Sequence, residues 1–256
     1  MTRAAQGAEA PGPARQLVAL LRMELRALRR NRTAAVMSVG APLAIGIVLA
    51  GEYEGGPPAG IARMGSMLAL VAVLAVHHHL ITVYASRRQE LVLKRLRAGL
   101  LSDDTILAGA AAATLTIYLL QGACLVGYGV VVLGLPVPGN PLLILVALGL
   151  AAAVMAMSAA ALSAITRSAE AAMLTSLPTV VLFLAAPGAM VPLGTFSEPI
   201  EEIARYSPMG AFTAVVREAW LGTTGLDTFL ALGALAVWTL LGWALARAVF
   251  RWEPRA

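Results

Sequence analysis

Along this chain, apolar and charged positions alternate in long blocks. Six runs contain no Asp, Glu, Lys or Arg: 33–51, 64–86, 105–133, 142–166, 171–190 and 228–246. The shortest of them has nineteen residues, about what a helix needs to cross a hydrocarbon core of roughly 30 Å. The pattern therefore predicts six transmembrane helices. Pro42 in the first run, and Pro178 and Pro187 in the fifth, are places for local bends, which membrane helices tolerate. Two further segments mix apolar and basic positions at helical spacing. In 15–32, RQLVALLRMELRALRRNR, Leu17, Leu21, Met23, Leu25 and Leu28 alternate with Arg22, Glu24, Arg26, Arg29 and Arg30. This is an amphipathic interfacial helix whose arginines snorkel toward water. In 87–97, RRQELVLKRLR, Leu91, Val92, Leu93 and Leu96 form an apolar face while Arg88, Lys94, Arg95 and Arg97 keep the other faces wet. A second short interfacial helix is expected there.

The connections complete the outline. Residues 1–14 form a loose tail and 52–63, EYEGGPPAGIAR, a Gly/Pro loop. The central loop spans 87–104, with Ser102 or Asp103 as N-cap of the next helix. GLPVPGNP at 134–141 is a turn, and 167–170 is a tight polar connection. Residues 192–226 are the longest link. They include MGAFTAVVREAWLG, interrupted by Arg217 and Glu218, too short and too charged to span. One or two interfacial or re-entrant helices are expected, with Trp220 at headgroup level. A basic tail, 247–256, carries Trp252. The fold class is an all-α integral membrane protein.

Composition agrees: hydrophobic residues make up 59% of the chain, charged residues 13%, and mean hydropathy is +0.79. Soluble domains carry about 25% charged residues. The net charge of +5 would suggest nucleic acid were it not placed beside apolar runs, which is a membrane-topology pattern. With the N-terminus inside, sixteen of the nineteen Lys and Arg lie on the inner side, and only Arg63, Arg205 and Arg217 lie outside. Acidic residues split seven and seven, as a Lys/Arg rule allows. Both termini are thus expected in the cytoplasm. No cleavable signal peptide is expected, because a basic amphipathic segment precedes the first long run. Cys124, the single cysteine, lies in an apolar run and offers neither a disulfide nor a thiolate cluster within one chain.

Catalytic material is scarce. There is no G-x-x-x-x-G-K-[ST], no H-E-x-x-H and no G-x-S-x-G. Asp103 and Asp104 read as a helix start, since no third carboxylate lies nearby. His77, His78 and His79 lie together in the second run. Adjacent helical positions point about 100° apart, so the three cannot form one cluster from a single helix. One or two of them are expected to face the bundle interior, as interhelical hydrogen-bonding groups, as lining of a substrate path, or as a metal or proton relay. Small residues at Gly122, Gly127 and Gly129, and across 151–164 with Ser158 and Ser163, suit close helix packing. Met155, Met157, Met173 and Met190 supply adaptable apolar surface for the core or for a lipophilic ligand. A basic cytosolic helix between spans, with no energy-binding motif in the chain, points to a soluble partner docked there. Competing readings are a lipid-modifying membrane enzyme built on Asp103, Asp104 and the histidines, a secondary transporter using the histidines, and an assembly factor.

Three segments carry a resemblance. The chain resembles a membrane subunit of the ABC-2 type transporters, of the daunorubicin-resistance-like group of bacterial exporters. LRMELRALRRNRTAAV precedes the first span as in that family. The loop is similar to its E-R-x-x-G-T-L-x-R-L-R-x-x-P pattern at Arg88, Leu93, Arg95, Leu96 and Arg97. YSPMGAFTAVVREAWLG resembles its late signature at Pro208, Arg217 and Gly222, with Glu218 between. Leu91-Val92 stand where the pattern has Gly-Thr and Leu100 where it has Pro; a loop helix without glycine is expected to be straighter or to dock differently. The resemblance implies a permease subunit in a bacterial cytoplasmic membrane, working as a homodimer or a related pair. It would bind two ATP-binding subunits that carry ATP and Mg, and no cofactor of its own. Arg22, Arg26, Arg29, Arg88, Glu90, Lys94, Arg95 and Arg97 would form the ATPase-coupling interface. His77, His78, His79, Met155, Met157 and Ser158 are the candidate substrate path for an amphiphilic drug, antibiotic, lipid or glycan.

Overall fold

The computed structural model describes residues 40–51, 55–92, 103–186, 188–192 and 194–250, together with Arg22, Arg26 and Val36. Among the described residues the regular structure is helical. We label the helices α1 (Ala41–Gly51), α2 (Pro57–Gln89), α3 (Asp103–Val131), α4 (Pro141–Ser163), α5 (Ala172–Leu184), α6 (Glu198–Ala204), α7 (Pro208–Leu221) and α8 (Leu226–Val249).

Four of these are long and apolar enough to cross a membrane: α2, α3 over Ala111–Val131, α4 and α8. Of the six runs expected to span, the first and fifth contain shorter apolar helices, α1 and α5, of 11 and 13 residues. Thirteen residues rise only about 20 Å. Beyond Leu184 the chain turns, with Gly188 at φ 77° and Gly194 at φ 83°, left-handed positions that stop a helix. The direction of packing nonetheless alternates. Tyr118 on α3 donates to the Leu68 carbonyl and Gly129 lies against Met64, so α3 runs antiparallel to α2. Met155 meets His77 while Thr166 meets Arg88, so α4 runs with α2. Thr179 meets His77 and Gly188 meets Ser66, so α5 returns.

α2 starts earlier than expected. The loop read over 52–63 gives way to helix at Pro57. Gly55 sits at φ 118° and Gly56 is extended, and Pro57 and Pro58 occupy the first turn, where a fixed φ and a missing N–H fit. The basic stretch 87–97 is not one helix. Arg87 to Gln89 close α2, Glu90 caps it, and Leu91 turns the chain at φ 58°. The expected straightness is therefore absent at the position where the family pattern has glycine, and Leu91 adopts the conformation a glycine would take freely. Residues 93–102 lie outside the described residues.

α4 is the central helix, packed against α2, α3, α7 and α8. Its buried face is rich in alanine, with Ala147, Ala151, Ala152, Ala159 and Ala160, and small side chains let backbones approach. At Gly122 on α3 an added Cβ would stand 3.0 Å from Leu148, whereas Gly127 faces open space. On the outside, Leu120, Leu145, Leu174, Leu182, Leu240 and Leu245 are exposed, a sheath that suits lipid and not water.

Residues 192–226 fold as α6 and α7. Ser207 caps α7 by accepting from the Gly210 N–H, and Pro208 takes the first turn. α7 is mostly buried and packs against α2, α4 and α8. Its end is stitched to the α3–α4 turn: the N–H groups of Gly139 and Asn140 donate to the carbonyls of Trp220 and Ala219. A Cβ on Gly139 would lie 2.6 Å from the Cα of Gly222, so this crossing demands glycine. Trp220 is consequently turned into the protein, beside the α3–α4 turn. It is 2% exposed, and its Nε1–H donates to the Pro136 carbonyl at 2.7 Å. An internal acceptor has replaced the interface as partner of its polar edge. At its other end α7 begins beside Tyr206, whose carbonyl accepts from Trp238 midway along α8.

Candidate functional site

The π-helical segment Ala72–His78 interrupts α2. A π-turn is wider than an α-turn, and its two terminal residues, His77 and His78, both reach α5. His77 Nε2 lies 2.8 Å from Thr179 Oγ1 and His78 Nδ1 lies 2.8 Å from Ser176 Oγ. His77 is fully buried, and on its other side Nδ1 faces Ser158 Oγ at 2.9 Å and the Met155 carbonyl at 3.4 Å. Phe183 meets the ring edge-on at 5.1 Å. A neutral imidazole satisfies this set. Each ring nitrogen faces one hydroxyl, Ser158 at Nδ1 and Thr179 at Nε2, and these hydroxyls also lie 3.0 and 2.8 Å from the Met155 and Ser176 carbonyls, so one ring nitrogen donates and the other accepts. The cluster thus ties α2, α4 and α5 together. His79 is half-buried, and its backbone N–H donates to the Val76 carbonyl. No group of three or more His, Cys, Asp or Glu among the described residues is placed to hold a metal.

Beside the cluster lies a groove of about 350 Å³ between α4, α5 and α8. His77, Ser158 and Thr179 supply its polar lining, and Phe183, Trp238 and Leu241 stand among its apolar walls. Leu241 and Leu245 are exposed at its rim, so it opens toward the lipid-facing side of the bundle. Of the expected path residues, His77 and Ser158 line it. Met155 is buried in the core and offers its carbonyl alone to the cluster, while Met157 packs where an added Cβ on Gly242 would stand 2.9 Å from its own. Ser176, Thr179 and Phe183 were not singled out from the sequence. Two hydroxyls three residues apart in an apolar run are the signal that marks them.

The expected coupling surface is described in part. Arg22 and Arg26 are helical and exposed; Arg29, Lys94, Arg95 and Arg97 lie outside the described residues. Glu90 is exposed and accepts from Ser86 at 2.9 Å. Arg88 departs from the wet face assigned to it. It is 1% exposed and donates to the carbonyls of Ser163, at 2.9 Å, and Thr166. The C-terminal end of a helix carries the negative end of its dipole, and a forked guanidinium can serve two carbonyls at once. In the outer motif, Pro208 starts α7, Gly222 ends it at φ 72°, and Glu218 accepts from Arg217 at 3.3 Å and from the Thr223 hydroxyl.

A family model described as ABC-2 type transporter matches residues 15–221. No curated protein matches the chain.

Proposed function

The chain belongs to the ABC-2 type transporter family and is the permease component of an ABC transporter, and from that premise we propose that it forms the export path for an amphiphile. It is a multi-pass membrane protein, and its family implies an ABC ATP-binding partner. On our reading the subunit has six spans, with α1 and α5 belonging to the first and fifth. It sits in a bacterial cytoplasmic membrane with both termini inside, in the daunorubicin-resistance-like exporter group. Two copies pair as a homodimer over two ATP-binding subunits, which hold ATP and Mg, and the helix at 15–32 and the loop at 87–104 receive those subunits. The cargo is a drug, antibiotic, lipid or glycan.

The observation that carries the path is the groove beside His77. It has apolar walls and a rim of exposed leucines, and its hydrogen-bonding groups are collected at one place. An apolar body can enter such a groove from lipid while its polar part meets the hydroxyls. The test is co-purification with an ABC ATP-binding subunit in nanodiscs, then ATP hydrolysis across a panel of lipophilic drugs and lipids. Stimulation by at least one compound is expected, together with its loss in Ala161→Trp, which fills the groove, while unstimulated hydrolysis persists. Equal stimulation in the variant would move the path elsewhere.

A further inference from the structure

Arg88 belongs to the basic stretch that precedes the central loop, yet it is buried, and what it holds lies far along the chain. Its Nη1 and Nη2 donate to the carbonyls of Ser163 and Thr166, the C-terminal end of α4 and the start of the α4–α5 turn. Gln89 adds a second grip, its side-chain carbonyl accepting from the Ala169 N–H at 3.2 Å. The turn is thus held at Thr166 and Ala169, and three residues later α5 begins at Ala172. One and two turns into α5 stand Ser176 and Thr179, the hydroxyls that meet His78 and His77. On the other side of the clamp, Leu91 turns the chain at φ 58°. Two consecutive residues at the mouth of the loop therefore grip the corner from which the groove wall is built.

We propose that Arg88, with Gln89, is a positioning residue that makes the end of α2 and the α4–α5 corner move as one body, so that displacement of the end of α2 swings α5 at the His77 groove. This rests on the reading that an ATP-binding subunit docks on 87–104. A charge inside the protein is stable here because the guanidinium donates to two carbonyls gathered at the negative end of the α4 dipole. A lysine, with a compact ammonium in place of a fork, cannot reproduce the two-point grip. α5 is the helix able to respond: it is short, contains Pro178, and exposes Met173, Leu174 and Leu182 along its outer face.

The experiment uses the full chain in nanodiscs with its ATP-binding subunit and Cys124→Ser as background. Nitroxides are placed at Leu145 on α4 and Leu177 on α5, both exposed, and their distance is measured by pulsed electron spin resonance without nucleotide and with ATP and vanadate. The unaltered clamp is expected to show a nucleotide-dependent shift. Compared in complexes that retain the ATP-binding subunit, Arg88→Gln is expected to lose it, Arg88→Lys to recover part of it, and Gln89→Ala to lose part of it. Should Arg88→Gln fail to fold, Gln89→Ala, at the exposed end of the clamp, decides alone. A purely structural role would lower yield and partner binding but leave the shift intact in the folded fraction, and that result overturns the proposal. So does the absence of any shift with the clamp intact. Failure of the ATP-binding subunit to bind the unaltered chain sinks the docking reading instead, and the inference with it.

Discussion

α2 and α8 are equally apolar, with a mean hydropathy of 2.0 over their most apolar windows, yet 78% of that window is buried in α2 and 17% in α8. Hydropathy reports the gain on leaving water. Inside a bilayer that gain is the same against lipid as against another helix, so burial is decided by close packing and hydrogen bonds. α2 has both. Gly65, Ala69, Ala72 and Ala75 keep it slim, and hydrogen bonds reach it from Tyr118 on α3, Ser158 on α4, and Ser176 and Thr179 on α5. α8 is studded with exposed leucines, and its closest seam is Gly242 against Met157.

The contrast is broken most directly by truncating one leucine in each helix. Leu68 is fully buried on α2, and Leu68→Ala is expected to cost about 2–5 kcal/mol. Leu240 is exposed on α8, and Leu240→Ala should stay within about 0.5 kcal/mol. Unfolding in detergent compares the two, and equal losses would mean that the helices are equally buried. A second comparison stays within α8. Gly242→Leu drives a side chain into Met157 and is expected to cost about 1–3 kcal/mol, whereas Gly233 has nothing within 4 Å and its leucine variant should unfold like the parent. The smallest effect lies at the end of α2. Leu91 holds φ 58°, which costs an L-residue roughly 1–2 kcal/mol, so Leu91→Gly should raise stability by up to about that amount. A loss would show that the leucine side chain contributes more than its backbone strain removes.

Much of the frame was legible because its signals are local. The uncharged runs at 105–133, 142–166 and 228–246 correspond to α3, α4 and α8, with ends differing by a few residues. The start of α2 was misread because Gly55-Gly56-Pro57-Pro58 carries breaker residues that serve equally well as a helix start. Arg88 was misplaced because amphipathic spacing identifies a polar face without saying what lies opposite it. The partner of Trp220 was hidden for a similar reason. An indole N–H needs an acceptor, and sequence alone cannot tell a headgroup from the Pro136 carbonyl.

Local composition was enough to place this chain in a membrane, to set where its long helices run, and to leave it without a nucleotide-binding motif, since each of these depends on neighbours within some twenty positions. Tertiary structure alone decided which apolar helix is central and which is peripheral. It also brought His77 to Ser158 and Thr179, across 81 and 102 residues of sequence, and gave a basic residue the task of holding a helix end. Those outcomes depend on which backbones approach closely enough for a polar atom to find its partner, and that distance is a property of the packed bundle.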